Sequence, residues 1–143
     1  MSMDDRQQTV TDVPIPFLAW LGAKLVKAEG GHSEVRLDVL EHHCNSWHVC
    51  HGGVLMTMLD AAMATAARSL HPELRGSATV DMTTSFVRPG EAGNLVAYGK
   101  CYHRSSTMAF CEAEVRDEGG GLVARASGTF KYIKKRSDQG VDG

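Results

Sequence analysis

The sequence predicts an α+β fold in which a curled antiparallel sheet wraps a long central helix, and three observations predict it. After Gly53 the chain reads Val-Leu-Met-Thr-Met-Leu-Asp-Ala-Ala-Met-Ala-Thr-Ala-Ala. That helix is apolar nearly all round, so it is expected to be buried on most sides. Several other segments alternate apolar and polar residues, as strands with one buried face do. Turn chemistry separates the later ones: Pro89-Gly90 to Gly93, Arg104 to Ser106, and Asp117 to Gly121. A sheet that curls around the helix buries both apolar surfaces at once.

Taken in order, Pro14 to Leu21 is expected to form a short amphipathic helix opened by proline, with Phe17, Trp20 and Leu21 available to pack. Ala23 to Glu29 reads as a strand, and Glu29-Gly30-Gly31 as a turn. In His32 to Val39, Val35, Leu37 and Val39 face one way while Glu34, Arg36 and Asp38 face the other. Leu40 to His51 is an irregular loop rich in His and Cys. Gly52-Gly53 opens the long helix, which runs to about Arg68 or Ser69. Four strands follow at roughly 77–88, 94–103, 107–116 and 122–133. In the third of these, Ala109, Cys111, Ala113 and Val115 oppose Glu112, Glu114 and Arg116. In the last, Leu122, Ala124, Ala126, Gly128, Phe130 and Tyr132 share one face. Residues 1–12 are expected to form a disordered segment, 13–136 one folded domain, and 137–143 a flexible tail.

Composition removes several function classes. A chain of 143 residues, 43% hydrophobic and 22% charged, is one ordinary globular domain. A net charge of −2 argues against a nucleic-acid partner, and Lys131, Lys134, Lys135 and Arg136 read as a solvated end. Met1 to Asp12 is polar, without the apolar core of a secretory leader. Val54 to Ala67 is too short to span a bilayer and carries Asp60, so no membrane association is expected. Cys44, Cys50, Cys101 and Cys111 then read as reduced thiols of a cytoplasmic protein.

Asp60 needs an explanation, because an ionised carboxylate is costly to bury among Leu59, Ala61, Ala62 and Met63. It either lies on a small exposed stripe with Thr57 and Ala64, or pairs with a cation, or does chemistry. His51-Gly52-Gly53 opens the same helix, where free N–H groups and the helix dipole favour a developing negative charge. Gly52 and Gly53 therefore suit an oxyanion hole, although a glycine-rich cap with no ligand reads the same. Gly52 and Asp60 are eight positions apart, about 12 Å along a helix. One reacting carbon cannot sit against both in one chain. If both act on one substrate, Asp60 comes from a second copy, across a two-fold axis with two equivalent sites.

The segment Asn45-Ser46-Trp47-His48-Val49-Cys50-His51-Gly52-Gly53, followed by Asp60-Ala61-Ala62, resembles the signature of the phenylacetyl-CoA thioesterase-like branch of the hotdog superfamily. Thr79-Val80-Asp81-Met82 and Phe86-Val87-Arg88-Pro89-Gly90-Glu91-Ala92-Gly93 resemble its post-helix strand and turn. The resemblance runs from about Phe17 to Tyr132. It implies a hotdog homodimer, often a homotetramer, that hydrolyses acyl- or aryl-CoA thioesters without metal or organic cofactor. It also implies that Gly52 supplies an oxyanion-hole N–H, that His51 and Asn45 orient the carbonyl and the loop, and that Asp60 of the partner chain acts as nucleophile or general base. Thr79 matches a position where a hydroxyl helps hold the water.

Coenzyme A needs anchors for its phosphates, and Arg88 and Arg104, the latter beside Ser105 in a turn, are the candidates in loops. Met56, Met63 and Phe86 are candidates for the acyl pocket, though such methionines also read as core. His42, His43, Cys44, His48, Cys50 and His51 fit no standard zinc spacing, and Cys50 reads as a small buried hydrophobe rather than a nucleophile. Two alternatives stay open: a hotdog dehydratase acting on acyl thioesters, and a non-catalytic acyl-CoA-binding module.

Overall fold

In the computed structural model the described residues are 15–134. Pro14, Lys135, Arg136 and the segments 1–12 and 137–143, on which expectations were placed above, lie outside them. Helix α1 spans Pro16–Leu21 and stops at Gly22, whose φ of 89° is open to glycine at no steric cost. Pro16 opens it, because the first turn needs no N–H from its leading residue. Strands β1 (Lys24–Glu29) and β2 (His32–Val39) follow, then a short 3-10 turn over Glu41–His43. Helix α2 spans Gly52–Ser69. Strands β3 (Gly76–Phe86), β4 (Gly93–Arg104), β5 (Met108–Arg116) and β6 (Leu122–Ile133) complete the chain. Each expected strand is present to within a residue or two at its ends.

The six strands form one antiparallel sheet in the order β1-β2-β4-β5-β6-β3. Tight turns join β4, β5 and β6, so they lie side by side. Strand β3, which leaves the end of α2, closes the far edge against β6. The sheet curls around α2, which touches every strand. This is the hotdog arrangement that the sequence resemblance implied. The alternation in β5 and β6 points Ala109, Cys111, Val115, Ala126 and Phe130 inward against Met58, Leu59, Ala62 and Met63.

Small residues decide how closely the helix sits. Ser33 Oγ donates to the Ala62 carbonyl at 2.5 Å, and Tyr132 O–H donates to that of Ala67 at 2.8 Å. Phe130 is the largest fully buried side chain of the core. Truncation to Ala is expected to cost about 3–5 kcal/mol, read as a lower midpoint in urea with an unchanged slope.

The helix is not buried on most sides, as its composition suggested. Its inner face is closed, but Met56, Thr57, Asp60, Ala61, Ala64 and Thr65 form a partly exposed stripe. One sheet covers only the side of a helix that it touches. Beside that stripe, β3 is exposed on both faces over Ala78–Asp81, and its outer edge has no strand partner among the described residues. No helix among the described residues is long and apolar enough to cross a membrane.

Candidate active site

His51 caps α2. Its Nδ1 accepts the Gly53 N–H at 2.8 Å, so in the neutral ring the proton sits on Nε2, which is left as a donor. A Cβ at position 53 would lie 3.0 Å from that Nδ1, so Gly53 makes room for the cap. The Gly53 N–H is thereby committed, whereas the Gly52 N–H has no partner among the described residues. Phe86, at the end of β3, stacks over Gly52: a Cβ there would come within 3.2 Å of its ring.

The loop before the cap is held from inside. Asn45 Oδ1 accepts the N–H of Trp47 at 2.9 Å, and the Asn45 backbone pairs with Val49 and His48. His48 takes a left-handed φ of 60° to close this turn. Cys50 N–H donates to Gly90 O at 2.7 Å, which ties the loop to the Pro89-Gly90 turn. His43 is buried with both ring nitrogens engaged: Nδ1 accepts from Leu40 N–H and Nε2 donates to Leu21 O at 2.7 Å. It is a staple between α1 and the loop. No group of three His, Cys, Asp or Glu side chains among the described residues is placed to hold a metal ion.

Burial, aided by Cys44, pushes the Cys50 thiol up from 9.0 to about 11. It is therefore a neutral thiol near pH 7, not a nucleophile. The unfolded thiol ionises first as pH rises, so this contribution to stability is complete below pH 9 and is lost as pH rises through 11. Urea titrations at pH 8 and pH 10.5 should show Cys50→Ala losing less stability across that interval than wild type.

Eight positions along the same unbroken helix, Asp60 lies on the exposed stripe, and Thr79 Oγ1 donates to its Oδ1 at 2.6 Å. The two residues meet because the β3–β6 register slips between Thr79 and Asp81, leaving Val80 as a bulge that re-aims its neighbours. The second oxygen of Asp60 has no hydrogen-bond donor among the described residues. Within one chain the structure thus brings Thr79 to Asp60, and His51 to Gly52 and Gly53, about 12 Å apart along α2, while Asn45 is engaged within its own loop.

The proposed phosphate anchors are engaged elsewhere. Arg88 donates to the Leu122 carbonyl at 3.1 Å and pairs with Asp117. Arg104 is the last residue of β4 rather than a loop residue, and it donates to His71 Nε2 at 2.7 Å. Ser105 Oγ accepts the N–H groups of Thr107 and Met108, closing the β4–β5 turn. Of the acyl-pocket candidates, Met63 is fully buried in the core, while Met56 and Phe86 are exposed near Gly52. Sequence reasoning missed Gly99, whose place beneath α2 could have been suspected from a lone glycine inside a strand.

Similarity to known proteins bears on this geometry. A model of the thioesterase superfamily matches residues 48–124, from the loop before the cap into β6. The acyl-coenzyme A thioesterase PaaI of Escherichia coli is 29% identical over 114 residues, 79% of this chain and 79% of that protein. A protein of Archaeoglobus fulgidus named as an unproven esterase is 29% identical over 80% of this chain and 73% of its own length. Among solved structures, a conserved protein of Pseudomonas aeruginosa superposes with a TM-score of 0.80 at 30% identity, covering 84% of this chain and 95% of that one.

Proposed function

The chain belongs to the thioesterase superfamily, and from that premise we propose that it hydrolyses acyl- or aryl-CoA thioesters to the free acid and coenzyme A. The observation that carries the reading is the pair of complementary half-sites on α2: an open Gly52 N–H at its start, and a carboxylate held by Thr79 eight positions on. They serve one substrate in a homodimer, with Gly52 from one subunit and Asp60 from the other. Surfaces suited to that pairing are the exposed stripe of α2, the unpaired edge of β3, and the half-exposed Val80 and Phe86. Tyr98 and Tyr102 are exposed on β4 and offer a second surface for a homotetramer. Reduced Cys44, Cys50, Cys101 and Cys111 fit the cytoplasm.

In the proposed reaction the thioester carbonyl oxygen faces the Gly52 N–H, with His51 Nε2–H and Asn45 as orienting donors. A water held by the free oxygen of Asp60, whose other oxygen Thr79 fixes, gives its proton to the carboxylate as its oxygen adds to the carbonyl carbon. The oxyanion takes the Gly52 N–H bond, the kind of contact that contributes about 3–4 kcal/mol to a transition state. Collapse breaks the C–S bond, and the departing thiolate recovers the proton from Asp60. In the alternative course Asp60 itself adds to the carbonyl and expels the coenzyme A thiolate, and water then hydrolyses the mixed anhydride, regenerating the Asp60 carboxylate and supplying the proton that the thiolate takes up. Release of free thiol from a panel of acyl- and aryl-CoA esters, with the mass of the species in solution, tests the proposal. An absence of turnover with retained ester binding would favour a binding module instead.

A further inference from the structure

We infer that Arg68 and Arg75, in the cleft between the C-terminal half of α2 and the start of β3, bind an oxyanion of the thioester substrate. This rests on the thioesterase reading above. The oxyanion has two possible sources with one chemistry: a phosphate of coenzyme A, or a carboxylate at the far end of the acyl chain.

Seven arginines lie among the described residues, and five are engaged by their neighbours. Arg36 pairs with Glu34, Arg88 with Asp117, Arg116 with Glu114 and Arg125 with Glu112, while Arg104 bonds His71. Arg68 and Arg75 have no side-chain partner among the described residues, and both line one cleft of about 200 Å³. The hydroxyls of that cleft are already donating: Thr65 to the Ala61 carbonyl at 2.6 Å, and Ser77 to that of Ala64 at 3.2 Å. The remaining wall is apolar, with Ile15, Ala64 and Gly76. Two forked guanidinium groups against a wall poor in competing acceptors suit a planar or tetrahedral oxyanion.

The cleft also lies in line with Asp60 along one face of α2. Asp60, Ala64 and Arg68 follow one another at helical spacing along the exposed stripe, with Arg68 about 12 Å from Asp60. If Asp60 faces Gly52 of an antiparallel copy, position 68 falls level with position 44 of that copy, ahead of its helix. The other helix therefore leaves the cleft open, on the far side of the carboxylate from the region where the helices overlap.

The test compares wild type with Arg68→Gln, Arg75→Gln and the double variant, none of which touches the core. Each is assayed on one acyl group carried by coenzyme A and by pantetheine, and on acyl groups with and without a terminal carboxylate. A rise in KM of about tenfold per arginine, with kcat little changed, is expected from losing one charge-assisted contact. A rise seen with coenzyme A esters and absent with pantetheine esters assigns the phosphate. A rise on both carriers, confined to carboxylate-ended acyl groups, assigns the carboxylate. Unchanged KM in the double variant on every ester overturns the inference. Should wild type hydrolyse no ester, the thioesterase reading fails separately, and calorimetry with free coenzyme A and with glutarate decides this one. Binding that the double variant loses supports it, whereas no binding, or binding that survives, overturns it.

Discussion

Asp60→Asn is expected to lower kcat for thioester hydrolysis by about 10²–10⁴-fold, the usual weight of a general base, while leaving the fold and the subunit assembly unchanged. The side chain is half-exposed on the outer stripe of α2, so its replacement opens no cavity. Asn keeps the volume and an oxygen that can still accept from Thr79 Oγ1, so the 2.6 Å contact need not be lost. What disappears is the negative charge and the basic oxygen that has no donor among the described residues. A purely structural role for Asp60 would therefore be nearly silent in this variant, and a catalytic one would not. KM should move little, because the acyl and coenzyme A contacts are made elsewhere. Asp60→Ala should lose as much activity. Activity within a few-fold of wild type, in variants whose melting temperature and mass in solution match it, would remove Asp60 from the site while leaving the fold untouched.

Gly99→Ala carries the largest expected effect on stability. Gly99 sits in β4 opposite Ser33 and Ala113, against the Ala62 carbonyl of α2. An added Cβ would run into the Ala62 carbonyl and Ser33 Oγ, the two atoms joined by the 2.5 Å hydrogen bond that docks the helix. Overpacking of a core ordinarily costs about 1–3 kcal/mol. Here the obstacle is helix backbone, which cannot rotate away as a side chain could, so a loss at or above the top of that range is expected. Urea unfolding monitored by circular dichroism measures it. Gly22→Ala is a useful contrast, since a Cβ there meets nothing within 4 Å and only the left-handed φ is strained. A Gly99→Ala protein as stable as wild type would mean that α2 is free to lift off β4.

Much of this molecule was legible locally. The alternation of Val35, Leu37 and Val39, and of Ala109 to Val115, named the buried face of each strand, because in a strand side-chain direction is set by position parity alone. The His51-Gly52-Gly53 start and the run to Ser69 bounded α2, because caps and helical periodicity act within a few residues. The motif residues Asn45, His51, Gly52 and Asp60 stood out for the same reason: each is unusual in its immediate surroundings.

Only the tertiary structure decided who meets whom. Thr79 reaches Asp60 through a bulge in a strand at the sheet's far edge, and that depends on the β3–β6 register. Arg88 and Arg104 looked like free cations in the sequence, but a guanidinium pairs with whatever acceptor the register places within reach. Asp117 and His71 are 29 and 33 residues away from them. Arg68 and Arg75 were left without such neighbours, and nothing in their own segments says so. The near-uniform apolar composition of α2 could not show which side the sheet would cover and which would stay open. Burial is a property of the assembled surfaces, and a helix records it only where its residues differ from face to face.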